Sequence, residues 1–163
     1  YKYYFHMALN FLNIYNNLVK LTRNKSLYSC LRNNDTFSDR LIVLLFHFAF
    51  FLKIFKDEIS KKEAQIIFDS FIRQIELSIR EIGYGDVAVN KKMKDYVNLF
   101  FSIVGIVDTW ENLEKSKKTS LMADYINIDE HNDLFANYFD KFREFLVKNS
   151  LKIFTKDIIE FKF

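Results

Sequence analysis

From about Lys2 to Thr22 apolar residues return every three or four positions. Phe5, Leu9, Leu12, Tyr15 (or Ile14) and Leu18 fall on one stripe, the spacing of an amphipathic helix. Asn24-Lys25-Ser26 breaks the pattern, and a short segment through Leu27, Tyr28 and Leu31 follows. Asn33 to Thr36 reads as a turn whose last residues can accept the orphan amides of the next helix. That helix, about Phe37 to Lys56, is apolar nearly all round in its middle and is expected at the centre of the fold.

Ser60-Lys61-Lys62-Glu63 has the spacing of a capping box. The helix it opens carries Ala64, Ile67/Phe68, Phe71/Ile72, Ile75, Ile79 and Ile82 on one face and charged residues on the other, and stops at Gly83. A further helix from about Asn90 carries Met93, Val97, Phe100, Val104 and Val107, and its Gly105 suggests close packing against a neighbour. Lys115 to Thr119 reads as a solvated helix end or linker. Another helix, from Asp129 or His131, bears Leu134/Phe135, Tyr138/Phe139, Phe142 and Phe145/Leu146, and a last short one lies near Thr155 to Phe161. Strict alternation is scarce and no repeat appears. The pattern predicts an all-α fold, a single-domain bundle of about six to eight helices over 1–163.

Composition sharpens this picture. The chain has 163 residues, no Pro and only three Gly, so helices can run unbroken. The net charge of +3 is too small to name a nucleic-acid partner by itself. One cysteine, Cys30, excludes an internal disulfide framework and a cysteine-cluster zinc site. Aromatic residues reach 18%, with 19 Phe. A/T-rich codons would favour Phe, Ile, Lys, Asn and Tyr alike; the sharper alternative is a protein that handles apolar polypeptide. The two separate on Phe135, Tyr138, Phe139 and Phe142: some should be exposed in a groove if the stripe binds a client, and all buried if it is core. The opening Tyr1-Lys2-Tyr3-Tyr4-Phe5 shows no secretory signal, and a longer precursor is expected. The strongest apolar run, Leu41 to Leu52, is too short to span a bilayer.

Catalytic signatures are absent: there is no GxxxxGK, HExxH, CxxC or GxSxG. His47 lies in the most apolar helix and reads as a satisfied core histidine, and Cys30 as a small hydrophobe. The most specific local feature is Ile82-Gly83-Tyr84-Gly85-Asp86. It reads as a sharp helix–helix turn or as a loop for phosphate or a partner, with Asp86 as a presented carboxylate. After it, Lys91, Lys92 and Lys94 put three cations at the expected helix start, the unfavourable end for positive charge. They read as a solvated face, or as a surface for RNA backbone or anionic lipid headgroups that Lys53, Lys56, Lys61 and Lys62 could join.

Asp35-Thr36-Phe37-Ser38-Asp39-Arg40-Leu41 through His47 resembles the DT…R…LH stretch of the ubiquinol–cytochrome c chaperone family. Ile67-Phe68-Asp69-Ser70-Phe71 through Arg80-Glu81-Ile82-Gly83-Tyr84-Gly85-Asp86-Val87-Ala88-Val89 to Lys92-Met93-Lys94 is similar to its FD…LRE-hydrophobic-GxGD…V…K signature. Tyr28 falls where that family carries a Tyr. Asn34 stands in place of the family's Pro, and Asp39 in place of its Gly. The resemblance covers about 18–105, and 119–163 carries no recognised motif.

The resemblance implies an all-helical, cofactor-free, non-enzymatic assembly factor. It would bind newly synthesised cytochrome b and support assembly of ubiquinol–cytochrome c reductase, respiratory complex III. It also implies the matrix side of the mitochondrial inner membrane, or the cytoplasmic face of the inner membrane in an alpha-proteobacterial host. Nascent cytochrome b, a small helical co-chaperone, the ribosome near its exit tunnel and the membrane surface are the partners implied. On that view Gly83, Tyr84, Gly85 and Asp86 present a partner surface, and Lys91, Lys92 and Lys94 face RNA or lipid. Tyr138 and Phe142 belong to an apolar client groove. The alternative from another class is a structural or RNA-contacting subunit of a large mitochondrial or ribosomal assembly, which would stay in the finished complex.

Overall fold

The computed structural model describes residues 2–32, 36–155 and 161, and side chains only from residue 11 onward. Six α-helices run in the order α1 (Lys2–Thr22), α2 (Phe37–Phe55), α3 (Lys61–Glu81), α4 (Asp86–Asp108), α5 (Lys115–Tyr125) and α6 (Leu134–Lys148). Short 3-10 turns lie at Lys25–Tyr28, Trp110–Asn112 and Leu151–Thr155. Among the described residues there is no strand, only a single antiparallel bridge between Leu31 and Ile128. The fold is an all-α bundle.

Two capping boxes set where the central helices begin. At α2 the Thr36 hydroxyl accepts the Asp39 amide at 3.2 Å, and the Asp39 carboxylate accepts the Thr36 amide at 3.0 Å. Asp39, a departure from the family pattern, is therefore the residue that closes this cap. At α3 Ser60 and Glu63 exchange the same bonds at 3.1 and 2.9 Å.

Helix α2 is the axis of the bundle, because a helix apolar on every side must be covered on every side. Helices α1, α4 and α6 all pack on it, α3 packs on α4 and α1, and α5 packs on α6. The covering is largely aromatic. Phe48 stacks on Phe71 of α3 with ring centres 3.8 Å apart, and on Phe100 of α4 at 5.4 Å. Phe50 stacks on Phe139 of α6 at 5.3 Å and meets Trp110 edge-on at 5.4 Å. The Leu151–Thr155 turn is tied back to α1, where Asn17 and Asn13 donate to the carbonyls of Phe154 and Thr155 at 3.1 and 2.9 Å.

Several expectations change. Phe135, Tyr138, Phe139 and Phe142 are all buried, so the stripe on α6 is core and no open groove runs along it. Leu12 is exposed, while Phe11, Ile14, Leu18 and Leu21 form the buried side of α1. Gly105 is exposed, and beyond its own stretch of helix no atom lies within 4 Å of where its Cβ would be, so no neighbouring element packs closely there. Ile82, expected on the core face of α3, is exposed.

Of the two readings of Lys115 to Thr119, the solvated helix end holds and the linker does not: the stretch is the start of α5, with residues 115–117 exposed. Lys115 and Lys118 both donate to the Asp140 carboxylate, at 2.7 and 2.8 Å, and Trp110 donates to it at 2.9 Å. Burial alone would raise the Asp140 carboxyl, but these three hydrogen bonds outweigh it and hold the group below its ordinary range. Helix α6 begins at Leu134, later than Asp129 or His131. Thr155 ends a 3-10 turn, and 156–160 lie outside the described residues, as do Asn33 to Asp35 and the side chains of Phe5 and Leu9.

Candidate partner-binding site

The site begins where α3 has to stop. The amides of Ile82 and Gly83 turn back to the carbonyls of Ile79 and Arg80 at 3.3 and 3.0 Å. Gly83 takes φ +108°, a value that side chains disfavour. Gly85 is then the N-cap of α4, its carbonyl accepting the Val89 amide at 3.0 Å. Helix α4 therefore starts at Asp86, four residues before Asn90, and places Asp86 in the first turn, where an anion is favoured.

This moves each residue of the candidate surface. Asp86 does not stand alone as a presented carboxylate, because it accepts from Arg80 Nη1 at 2.5 Å. Arg80 also donates through Nε and Nη2 to Glu76, at 3.1 and 3.0 Å. Its bonds to Asp86 and then to Glu76 push the Arg80 guanidinium up from its ordinary value. One arginine thus fastens the end of α3 to the start of α4, across a connection only four residues long (82–85). Sequence reasoning missed Arg80; the signal was an arginine six residues before Asp86 with Glu76 four residues earlier.

The lysines no longer crowd a helix start, since Lys91 is the sixth residue of α4. Nor do they share a face. Successive residues turn by about 100° around a helix, which sends Lys92 to one side and Lys91 and Lys94 to the other. Lys92 is half-buried, with Nζ 4.6 Å from the centre of the Tyr84 ring, a cation–π contact. Lys91 and Lys94 are exposed. Lys53 cannot join them, because it binds Asp108 at 3.4 Å, at the far end of α4.

Around Tyr84 the surface is unusually apolar for a turn. Tyr84 is 43% exposed, Ile82 50% and Val87 86%. Beside them a cleft of about 270 Å³ opens between the start of α2, the end of α3 and α4. Phe37, Ile82, Tyr84 and Lys92 line it, with the buried Ile79 beneath them. Across the cleft Ser38 Oγ and Tyr96 Oη approach to 3.3 Å. Apolar walls with a few hydroxyls and one cation suit the capture of side chains from another polypeptide. Phe37 and Tyr96 escaped sequence reasoning, since neither stands near the glycine pair in the chain.

Elsewhere the polar interior is spoken for. His47 Nδ1 lies 2.7 Å from the Val43 carbonyl, which can only accept, so Nδ1 carries the proton and Nε2 accepts from the Tyr138 hydroxyl. Burial lowers the His47 pKa to about 4 and raises that of Tyr138, so both are neutral. No group of His, Cys, Asp or Glu among the described residues could hold a metal ion. No helix among them is long and apolar enough to cross a membrane.

The sequence model of a family described as Ubiquinol-cytochrome C chaperone matches residues 30–123. No curated protein matches the chain, and no solved structure does. The matched segment holds α2, α3, α4 and most of α5, and reaches further toward the C-terminus than the motifs alone imply. It takes in both capping boxes, the glycine connection, the arginine clasp and the cleft. At 123 − 30 + 1 = 94 of 163 residues it spans more than half of the sequence, and the chain belongs to the ubiquinol–cytochrome c chaperone family.

Proposed function

We propose that this protein is a non-enzymatic assembly chaperone for ubiquinol–cytochrome c reductase, respiratory complex III, and that it acts by holding newly made cytochrome b. Membership of the family over the whole α2–α4 region is the observation that carries this reading. The Gly83–Asp86 connection and its cleft supply the partner surface, with Tyr84, Ile82 and Phe37 as apolar contacts and Lys92 as the charged one. A small helical co-chaperone is the occupant this reading gives the cleft. Lys91, turned outward, is left to meet ribosomal RNA or lipid headgroups. The protein then works as a peripheral factor at the matrix side of the inner membrane, or at the cytoplasmic face in a bacterial host. The client is not held by Tyr138 and Phe142, which are core.

Deleting the gene should lower fully assembled complex III while the cytochrome b transcript stays at its normal level. Normal assembly in the deletion strain would sink the reading. Quantifying the protein in purified complex III separates it from the subunit alternative: a chaperone is absent from the finished enzyme, a subunit is present at one copy.

A further inference from the structure

The outward face of α4 is largely uncovered by the other helices. Phe101 is 58% exposed and Val97 half-exposed, while on α3 the Phe68 ring lies 6.0 Å from that of Phe101. Asn90, Lys94, Val97, Phe101, Val104 and Asp108 are spaced four, three, four, three, four, the repeat with which one helix meets another. Gly105 borders this stripe, exposed and with open space where a side chain would stand, although a glycine weakens a helix interior.

We propose that two copies of this chain pair through this face, α4 against α4, antiparallel about a two-fold axis near Phe101. The charges select this occupant. Lys94 and Asp108 lie seven residues to either side of Phe101, about 10.5 Å along the helix in each direction. The two-fold axis therefore sets Lys94 of each copy against Asp108 of the other, as an isologous contact requires. Among the described residues Lys94 has no ion-pair partner, and Asp108, though it offers Oδ1 to Lys53, keeps a side chain 56% exposed. The same operation sets Val97 against Gly105, which admits the close approach. An apolar membrane-type helix laid on this face would strand Lys94 and Asp108 away from water, whereas a second copy pairs them.

The pairing is read on the purified chain without client or membrane, so its failure and the failure of the chaperone reading are separate results. Sedimentation velocity over about 1 to 100 µM, where a modest interface associates, should show a shift to twice the monomer mass. Phe101→Asp should hold the chain monomeric with its helical circular dichroism intact, since that side chain is largely outside the core. Lys94→Glu turns two attractions into repulsions and should weaken the dimer about tenfold. In a Cys30→Ser background, Phe101→Cys should give a disulfide-linked dimer on oxidation, while Leu77→Cys, also exposed, should not. A wild-type monomer throughout the range, or a dimer that survives both Phe101→Asp and Lys94→Glu, overturns the proposal. So does a Phe101→Cys probe that traps a cytochrome b segment in membranes while the purified chain stays monomeric.

Discussion

The hydroxyl of Tyr138 lies 2.5 Å from Nε2 of His47 and joins the middle of α6 to the middle of α2 inside an aromatic core. Phe139 and Phe142 close around the same imidazole, with ring centres 5.1 and 4.8 Å away. Removing the hydroxyl leaves Nε2 buried without its donor. Tyr138→Phe should cost about 1–3 kcal/mol in chemical denaturation. His47→Phe combined with Tyr138→Phe removes both polar groups and should recover most of that loss. A double variant no better than the worse single one would show that packing, not pairing, sets the cost.

The same histidine makes stability depend on pH. Its folded pKa is about 4 against an ordinary 6.5, so between those values the unfolded chain binds the extra proton. The stabilisation is complete above pH 6.5 and is lost as pH falls toward 4, up to about 3 kcal/mol in all. Asp140, held below its ordinary range, adds a loss at more acid pH, as its carboxylate is protonated. Unfolding free energies from pH 7.5 to 4 should fall for the wild type and stay much flatter for His47→Phe with Tyr138→Phe.

Two glycines should respond in opposite directions to alanine. Gly83 holds φ +108°, so Gly83→Ala should destabilise by about 1–2 kcal/mol. Gly105 is an exposed helical residue with open space around it, so Gly105→Ala should stabilise the monomer by up to about 1 kcal/mol. Thermal melts of the two variants at a low, fixed concentration test both signs.

Asp140 takes hydrogen bonds from Trp110, Lys115 and Lys118 and so fastens α5 and the turn before it to α6. Asp140→Ala leaves the half-buried Lys118 ammonium without its carboxylate and should cost about 2 kcal/mol by denaturant titration. Asp140→Asn keeps the shape but not the charge and should fall between.

Tyr84 is a surface residue, so Tyr84→Ala should leave the melting temperature within about 2 °C of wild type. In a deletion strain, by contrast, it should restore less complex III than the wild-type gene does. Full restoration would remove Tyr84 from the partner surface.

What could be read from the chain was whatever local chemistry decides. Ser60 with Glu63 and the stop at Gly83 marked real ends of α3, because caps are satisfied by residues three or four positions apart. The unbroken apolar middle of α2 placed it at the centre correctly. The start of α4 was misjudged because Tyr84-Gly85-Asp86 looks like loop until Gly85 is seen to cap a helix. The stripe on α6 was ambiguous for a different reason. Periodicity says which side of a helix is apolar but not what covers it, and α2, apolar all round, had a side left for Phe139 and Phe142. The cleft was invisible in the sequence, since Phe37, Ile82 and Tyr96 come together only through packing.

Because α2 is covered on one side by α6, it must wait for that cover while the chain is being made. Phe46, His47 and Phe50 contact Phe139 and Phe142, roughly 90 residues later in the chain. At about 5–20 residues per second, those rings have no α6 to sit against for some 5 to 20 s of synthesis. For that interval the chain exposes apolar aromatic surface of its own, as a newly made membrane protein does.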